Sequence, residues 1–143
     1  MKIGIYASID VGKVRDLDIE YIGVDQGVEH LLKQNIQPIV AIGDMDSIKD
    51  KSLLNNLKTI SYSSIKDDTD TALALDYVIK QGYDEIDMYG VTKKRMDHFM
   101  AVLCLLVKYK NTTITIFDEY NKISLLKPGK HYIQKDGYKY FSL

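Results

Sequence analysis

Ile39-Val40-Ala41-Ile42 runs directly into Gly43-Asp44-Met45-Asp46-Ser47. An apolar run of this length, closed by a glycine, reads as a short buried strand whose chain can turn sharply at its end. Two carboxylates immediately after it point to a ligand site, because open α/β sheets bind ligands where strands give way to loops. If the segment stays extended, Asp44 and Asp46 point the same way and can hold one hard cation between them.

The same pattern repeats in both directions. Apolar runs at 2–7, 20–24, 38–42, 58–62, 85–89 and 112–117 have strand length, and segments at 27–34, 49–57, 71–81 and 97–109 have helical period. Strand and helix in alternation predict an α/β fold, a parallel-type sheet flanked by helices. Leu75, Val78 and Ile79 share one face of the helix over 71–81, Thr69 or Asp68 can cap its start, and Gly82 can end it. The helix over 97–109 is apolar nearly all round, through Met100, Val102, Leu103, Leu105, Leu106 and Val107, which predicts deep burial. Cys104 within it reads as a small buried hydrophobe.

After Asp118 the texture changes. Short alternating segments at 122–126, 131–134 and 139–143, with turns at Pro128-Gly129 and Asp136-Gly137, predict the first strands of an antiparallel unit. The chain therefore divides into an α/β domain at 1–118 and the start of an all-β domain at 119–143, expected to be truncated.

Bulk properties exclude several classes. Nineteen Lys and Arg against 20 Asp and Glu leave a net charge of -1, so there is no electrostatic reason to expect nucleic acid as partner. The longest apolar run, 99–107, is too short to cross a bilayer, and the first residues lack the features of a signal peptide. A cytoplasmic protein without a membrane partner is expected. One cysteine allows neither an internal disulfide nor a cysteine-based zinc site.

Two further acidic clusters stand at predicted strand-to-loop junctions. Lys66-Asp67-Asp68-Thr69-Asp70 leads into the helix at 71, where free N–H groups also attract anions, and Arg95-Met96-Asp97-His98 follows the strand ending at Gly90. Each alone reads more readily as caps and turns. Together they place Asp44, Asp46, Asp67, Asp70 and Asp97 along one sheet edge, where like charges resist ionisation unless cations are bound. Lys66 and Arg95 add partners for phosphate oxygens, so the edge reads as a metal-phosphate site. The Asp10-Val11-Gly12-Lys13 stretch lacks the pattern of a Walker-type phosphate loop. The many tyrosines scatter through strands and read as packing residues, and His30 and His131 as structural.

At these residues the sequence resembles the thiamine pyrophosphokinase family, which carries Gly-Asp-Phe-Asp-Ser, Lys-Asp-x-Thr-Asp and Arg-x-Asp-His segments in the same order. Val24-Asp25-Gln26-Gly27 is similar to the family's Ala-Asp-Gly-Gly stretch, and 121–129 to its entry into a C-terminal β-sandwich. Three departures stand out: Lys93-Lys94 where the family usually has two glycines, Val102 where it often has Asn, and Met45 for an aromatic residue. The resemblance implies a Rossmann-like three-layer domain and transfer of pyrophosphate from ATP to the hydroxyl of thiamine, with AMP leaving, in a homodimer. It implies Mg2+ on Asp44, Asp46, Asp67, Asp70 and Asp97, with Asp67 also able to accept the hydroxyl proton. Asp67, Asp70, Arg95 and Asp97 would form the catalytic group. Asp25, Ser47, Lys66, Thr69 and Arg95 would contact nucleotide, and His98 would either do the same or hydrogen-bond across the helix start. Two alternatives stay open: another Mg-dependent phosphohydrolase, because the Asp44 and Asp46 pair would serve water as well as an alcohol, and a catalytically weak nucleotide-binding relative.

Overall fold

The computed structural model describes residues 1–62 and 69–143. Strands β1 (Lys2–Tyr6), β2 (Glu20–Val24), β3 (Val40–Ile42), β4 (Thr59–Ile60), β5 (Glu85–Tyr89), β6 (Thr113–Phe117) and β7 (Lys122–Ser124) form one sheet in the order β4-β3-β2-β1-β5-β6-β7. All neighbours are parallel except β6 and β7. The helices are α1 (Gly27–Leu32), α2 (Asp70–Lys80) and α3 (Met96–Lys108). The expected α/β architecture is therefore present, with the order of the strands reversing beside β1.

Strand alternation sorts the two faces. Ile3, Ile5, Ile22, Val24, Ile86, Met88, Ile114 and Ile116 pack with Ala74, Leu75 and Val78 of α2 and Val102 and Leu106 of α3. On the opposite face Tyr6, Tyr21, Tyr89 and Phe117 pack with Leu31 of α1. The ring of Tyr89 stacks between Tyr6, 5.7 Å away, and Phe117, 5.5 Å away. No helix joins β1 to β2. Instead the tyrosine hydroxyls hold the connecting loop on the sheet: Tyr6 donates to Gly12 O (2.8 Å), Tyr21 donates to Asp16 O (2.5 Å), and Tyr89 accepts from Arg15 N (3.1 Å). The buried tyrosines thus pack, as expected, and each satisfies its polar end.

Four local expectations need correction. The helix expected over 49–57 is one 3-10 turn, Lys51–Leu54, capped by Asp50 and followed by Asn55 and Asn56, which compete for backbone hydrogen bonds. Helix α3 is not buried all round: Met96, Met100 and Val107 are each more than 60% exposed. Cys104 is exposed as well. A helix over one face of a sheet buries one stripe only, here Val102 and Leu106, whatever the rest of its surface carries. In the tail, β7 pairs with β6 through a turn in which Asp118 Oδ1 accepts from Tyr120 N (2.8 Å) and Asn121 N (2.7 Å). The segments 131–134 and 139–143 form no strands, and no described strand pairs with them.

Among the described residues no helix is long and apolar enough to cross a membrane.

Candidate active site

Asp25 follows β2, Asp44 and Asp46 follow β3, Asp70 opens α2, and Arg95 and Asp97 stand at the start of α3. Parallel strands deliver all of these to the carboxyl end of the sheet. Lys66 and Asp67 lie outside the described residues.

The tightest group is Asp25, Asp44 and Asp70. Burial raises the Asp25 carboxyl to about 6, and the neighbouring Asp70 and Asp44 charges add to it. Asp70 is raised for the same reasons, burial first and then Asp44. The two carboxyls are coupled, so a shared proton belongs to the pair when no cation is present. Asp25 Oδ1 is buried and has no hydrogen-bond partner among the described residues.

Local backbone explains how these groups come so close. Gly43 has φ +126, and a Cβ there would lie 2.0 Å from Asp25 Oδ1, so only glycine fits beside this carboxylate. Asp25 itself is left-handed (φ 49), a conformation Asp tolerates. The segment after Gly43 is not extended. Met45 has φ 58 and is buried, and Asp44 Oδ1 accepts from Asp46 N at 3.0 Å, closing a small turn. Asp44 and Asp46 are both exposed, but only Asp44 is coupled to Asp25 and Asp70, and the simple alternation expected for the pair does not apply.

Asp97 is exposed and gripped by Arg95, Nε to Oδ1 at 3.1 Å and Nη2 to Oδ2 at 2.5 Å, which holds its carboxyl down at about 2. Thr69 caps α2, its hydroxyl accepting from Ala72 N at 3.2 Å. Ser47 is exposed, and its carbonyl accepts from Gln26 Nε2 at 3.2 Å.

A cavity of about 280 Å³ opens beside this edge. Ile9, Val91 and Val102 give it apolar walls, and Lys93, Lys94, Arg95 and His98 line it with cationic and imidazole groups. Gln26 and Thr71, the chain neighbours of Asp25 and Asp70, also line it. Sequence reasoning missed Gln26 and Thr71 and gave Asp25 only a nucleotide contact. The signal for Asp25 was available, since it too is an acid directly after a buried strand.

Among the described residues no group of three or more His, Cys, Asp or Glu side chains forms a ready metal cage. The residues nevertheless fit a divalent cation: a buried carboxylate oxygen lacks a partner, and the carboxyls around it raise one another.

The sequence profile described as "Thiamin pyrophosphokinase, catalytic domain" matches residues 17–117. A thiamine pyrophosphokinase of Bacillus subtilis (strain 168) is 38% identical over 122 residues, 81% of this chain and 57% of the relative. The crystal structure of thiamine pyrophosphokinase from Bacillus subtilis superposes with a TM-score of 0.83 at 33% identity, over 95% of this chain and 69% of that one. That of thiamin pyrophosphokinase from Geobacillus thermodenitrificans gives a TM-score of 0.75 at 29% identity, over 87% of this chain and 62% of that one. This chain thus spans little more than half the length of the curated relative. It belongs to the thiamin pyrophosphokinase catalytic domain family.

Proposed function

We propose that this chain is the nucleotide- and metal-binding part of a thiamine pyrophosphokinase. The observation that carries the reading is the coupled group Asp25, Asp44 and Asp70 with its unpartnered buried oxygen, beside a cationic cavity wall. Asp44 and Asp70 would hold Mg2+ with Asp25, and Asp46, Asp67 and Asp97 would hold its waters or a second ion. When bound, the ion neutralises charge on the phosphates and lowers the repulsion among these carboxylates.

The chain's own residues align the reactants. Arg95, Lys66, Ser47, Thr69 and His98 would steady the nucleotide, with Arg95 exchanging its Asp97 partner for phosphate oxygens. The thiamine hydroxyl oxygen bonds to the β-phosphorus of ATP as the bond from that phosphorus to the bridging oxygen breaks. AMP leaves with the bridging oxygen, and the hydroxyl proton passes to Asp67. Such a transfer depends on alignment and charge neutralisation more than on covalent help.

A strip of aspartates cannot wall in two aromatic rings. We place the rest of the acceptor pocket in an all-β unit beginning near residue 119 and in a second copy of the chain. The exposed apolar stripe of α3, Met96, Met100 and Val107, supports self-association.

The test is coupled measurement of AMP and thiamine diphosphate from MgATP, on this chain and on a version carrying a full second domain, with sedimentation of both. Thiamine-dependent AMP release by a dimer of the longer form is expected, with little transfer by the 143-residue chain. AMP release at the same rate without thiamine would make the protein a phosphohydrolase. A fully active monomer would refute the shared pocket.

A further inference from the structure

Three consecutive cations, Lys93, Lys94 and Arg95, line the cavity, and two of them are committed. Lys93 Nζ lies 3.2 Å from Glu119 Oε1, and Arg95 is bidentate on Asp97. Lys94 has no ion-pair partner among the described residues. Its backbone is left-handed (φ 57), directly after a left-handed Lys93 (φ 69). Side chains with a Cβ are disfavoured there, and lysine has no short polar group to offset the strain as Asn and Asp do. An exposed, unpaired lysine held against its backbone preference at a cavity wall costs stability and returns no described contact.

We infer that Lys94 is a phosphate-binding residue, specific for the terminal phosphates of a nucleoside polyphosphate. The inference rests on the metal-phosphate reading of the carboxylate edge. The same cavity is lined by Gln26 and Thr71, adjacent in the chain to Asp25 and Asp70. A ligand lying across it therefore has carboxylates with their cation at one side and Lys94 at another. A polyphosphate chain matches both, binding a divalent cation through some oxygens and presenting others to an ammonium. Lysine acts here as a compact point charge, and it can turn to the ligand without breaking an existing ion pair. Lys93 and Arg95 would each first have to give one up. A nucleoside monophosphate has no terminal phosphates to meet Lys94, so the residue discriminates by phosphate number.

Calorimetric titration of the chain with MgATP and with AMP tests this, using Lys94→Gln, Lys94→Arg and Asp70→Asn. Lys94→Gln keeps a long side chain on the same backbone, and its melting temperature checks the fold. It should weaken MgATP binding about ten- to hundredfold, as expected for one charge-assisted hydrogen bond, and AMP binding less than about twofold. Lys94→Arg should stay within about twofold of the unmodified chain for both. Equal losses for MgATP and AMP, or no loss for either, would overturn the inference. If Asp70→Asn weakens MgATP while Lys94→Gln does not, the carboxylate site stands and this inference falls. If neither substitution matters, or the unmodified chain binds no MgATP, both fall.

Discussion

The two ends of the sheet treat buried carboxylates in opposite ways. Near the amino ends of the strands, Asp87 of β5 is 6% exposed and meets Lys2 of β1 at 2.9 Å, and Lys2 also reaches Asp16 at 2.9 Å. Burial still raises the Asp87 carboxyl, with Lys2 working against it. At the carboxyl ends, Asp25 and Asp70 are raised by burial and by further carboxylates, and no cation among the described residues offsets them. At one end the described residues carry their own counter-charge, and at the other they carry none for Asp25 and Asp70. Charge arranged the first way specifies a fold, and charge arranged the second way specifies a ligand.

The comparison breaks most visibly if the built-in cation is removed. Lys2→Met leaves Asp87 buried with no ammonium, and the expected loss is about 2 to 4 kcal/mol in urea unfolding. It falls toward the lower part of the range for buried pairs because Lys2 itself reaches solvent. Replacing both partners, Lys2→Met with Asp87→Leu, should recover most of that loss, since a pair of apolar side chains leaves no stranded charge. A single substitution with no effect would show that Asp87 simply takes up a proton, and the contrast between the two ends would disappear.

At the other end the sign reverses. Below about pH 4 Asp25 is protonated in both folded and unfolded chains and costs nothing. Between about 4 and its folded value of about 6, the folded state binds more protons than the unfolded one, so stability falls as pH rises and then levels off. Asp25→Asn should therefore stabilise the metal-free chain by about 2 kcal/mol at pH 8 and by nothing measurable at pH 4. The same variant should lose the rise in melting temperature that Mg2+ gives the unmodified chain. A variant that melts lower than the unmodified chain at pH 8 without metal would mean that Asp25 supports the fold.

How legible each end was follows from the range of the interactions that make it. The parallel sheet could be read because its signal is local: each of β1 to β6 is an apolar run, and the acids that follow β2 and β3 are adjacent to those runs in the chain. The Asp25, Asp44 and Asp70 group was only half legible. Register brings Val24 beside Ile42, so Asp25 and Gly43 meet across two strands, and no spacing along the chain encodes that contact. The same-side geometry expected of Asp44 and Asp46 fails because the buried Met45 turns the chain left-handed and ends the strand's alternation. The Lys2 and Asp87 pair, 85 positions apart in the chain, gave no signal at all. Helix α3 misled for a different reason, since composition shows what a helix could bury and topology decides what covers it.

Backbone strain offers the smallest and most selective test of the same contrast. Among the described residues six non-glycine residues have positive φ, and the three with side chains least suited to it, Met45, Lys93 and Lys94, all lie in loops at the carboxyl end. Asn35 and Asp136, elsewhere, are of the types that tolerate it. If strain is concentrated where ligands bind, relieving it should stabilise the chain without touching the core. A left-handed non-glycine residue costs roughly 1 to 2 kcal/mol, and glycine gives back roughly 0.5 to 1 through its freer unfolded state. Lys94→Gly should thus raise stability by about 0.5 to 1 kcal/mol, measured without nucleotide by urea unfolding. Lys94→Ala is the control: it removes the charge and keeps the Cβ, so it should give no such gain. Equal gains from glycine and alanine would assign the effect to the charge. A loss on Lys94→Gly would mean that the lysine side chain holds its loop in place, and that the left-handed turn is not a cost carried for binding.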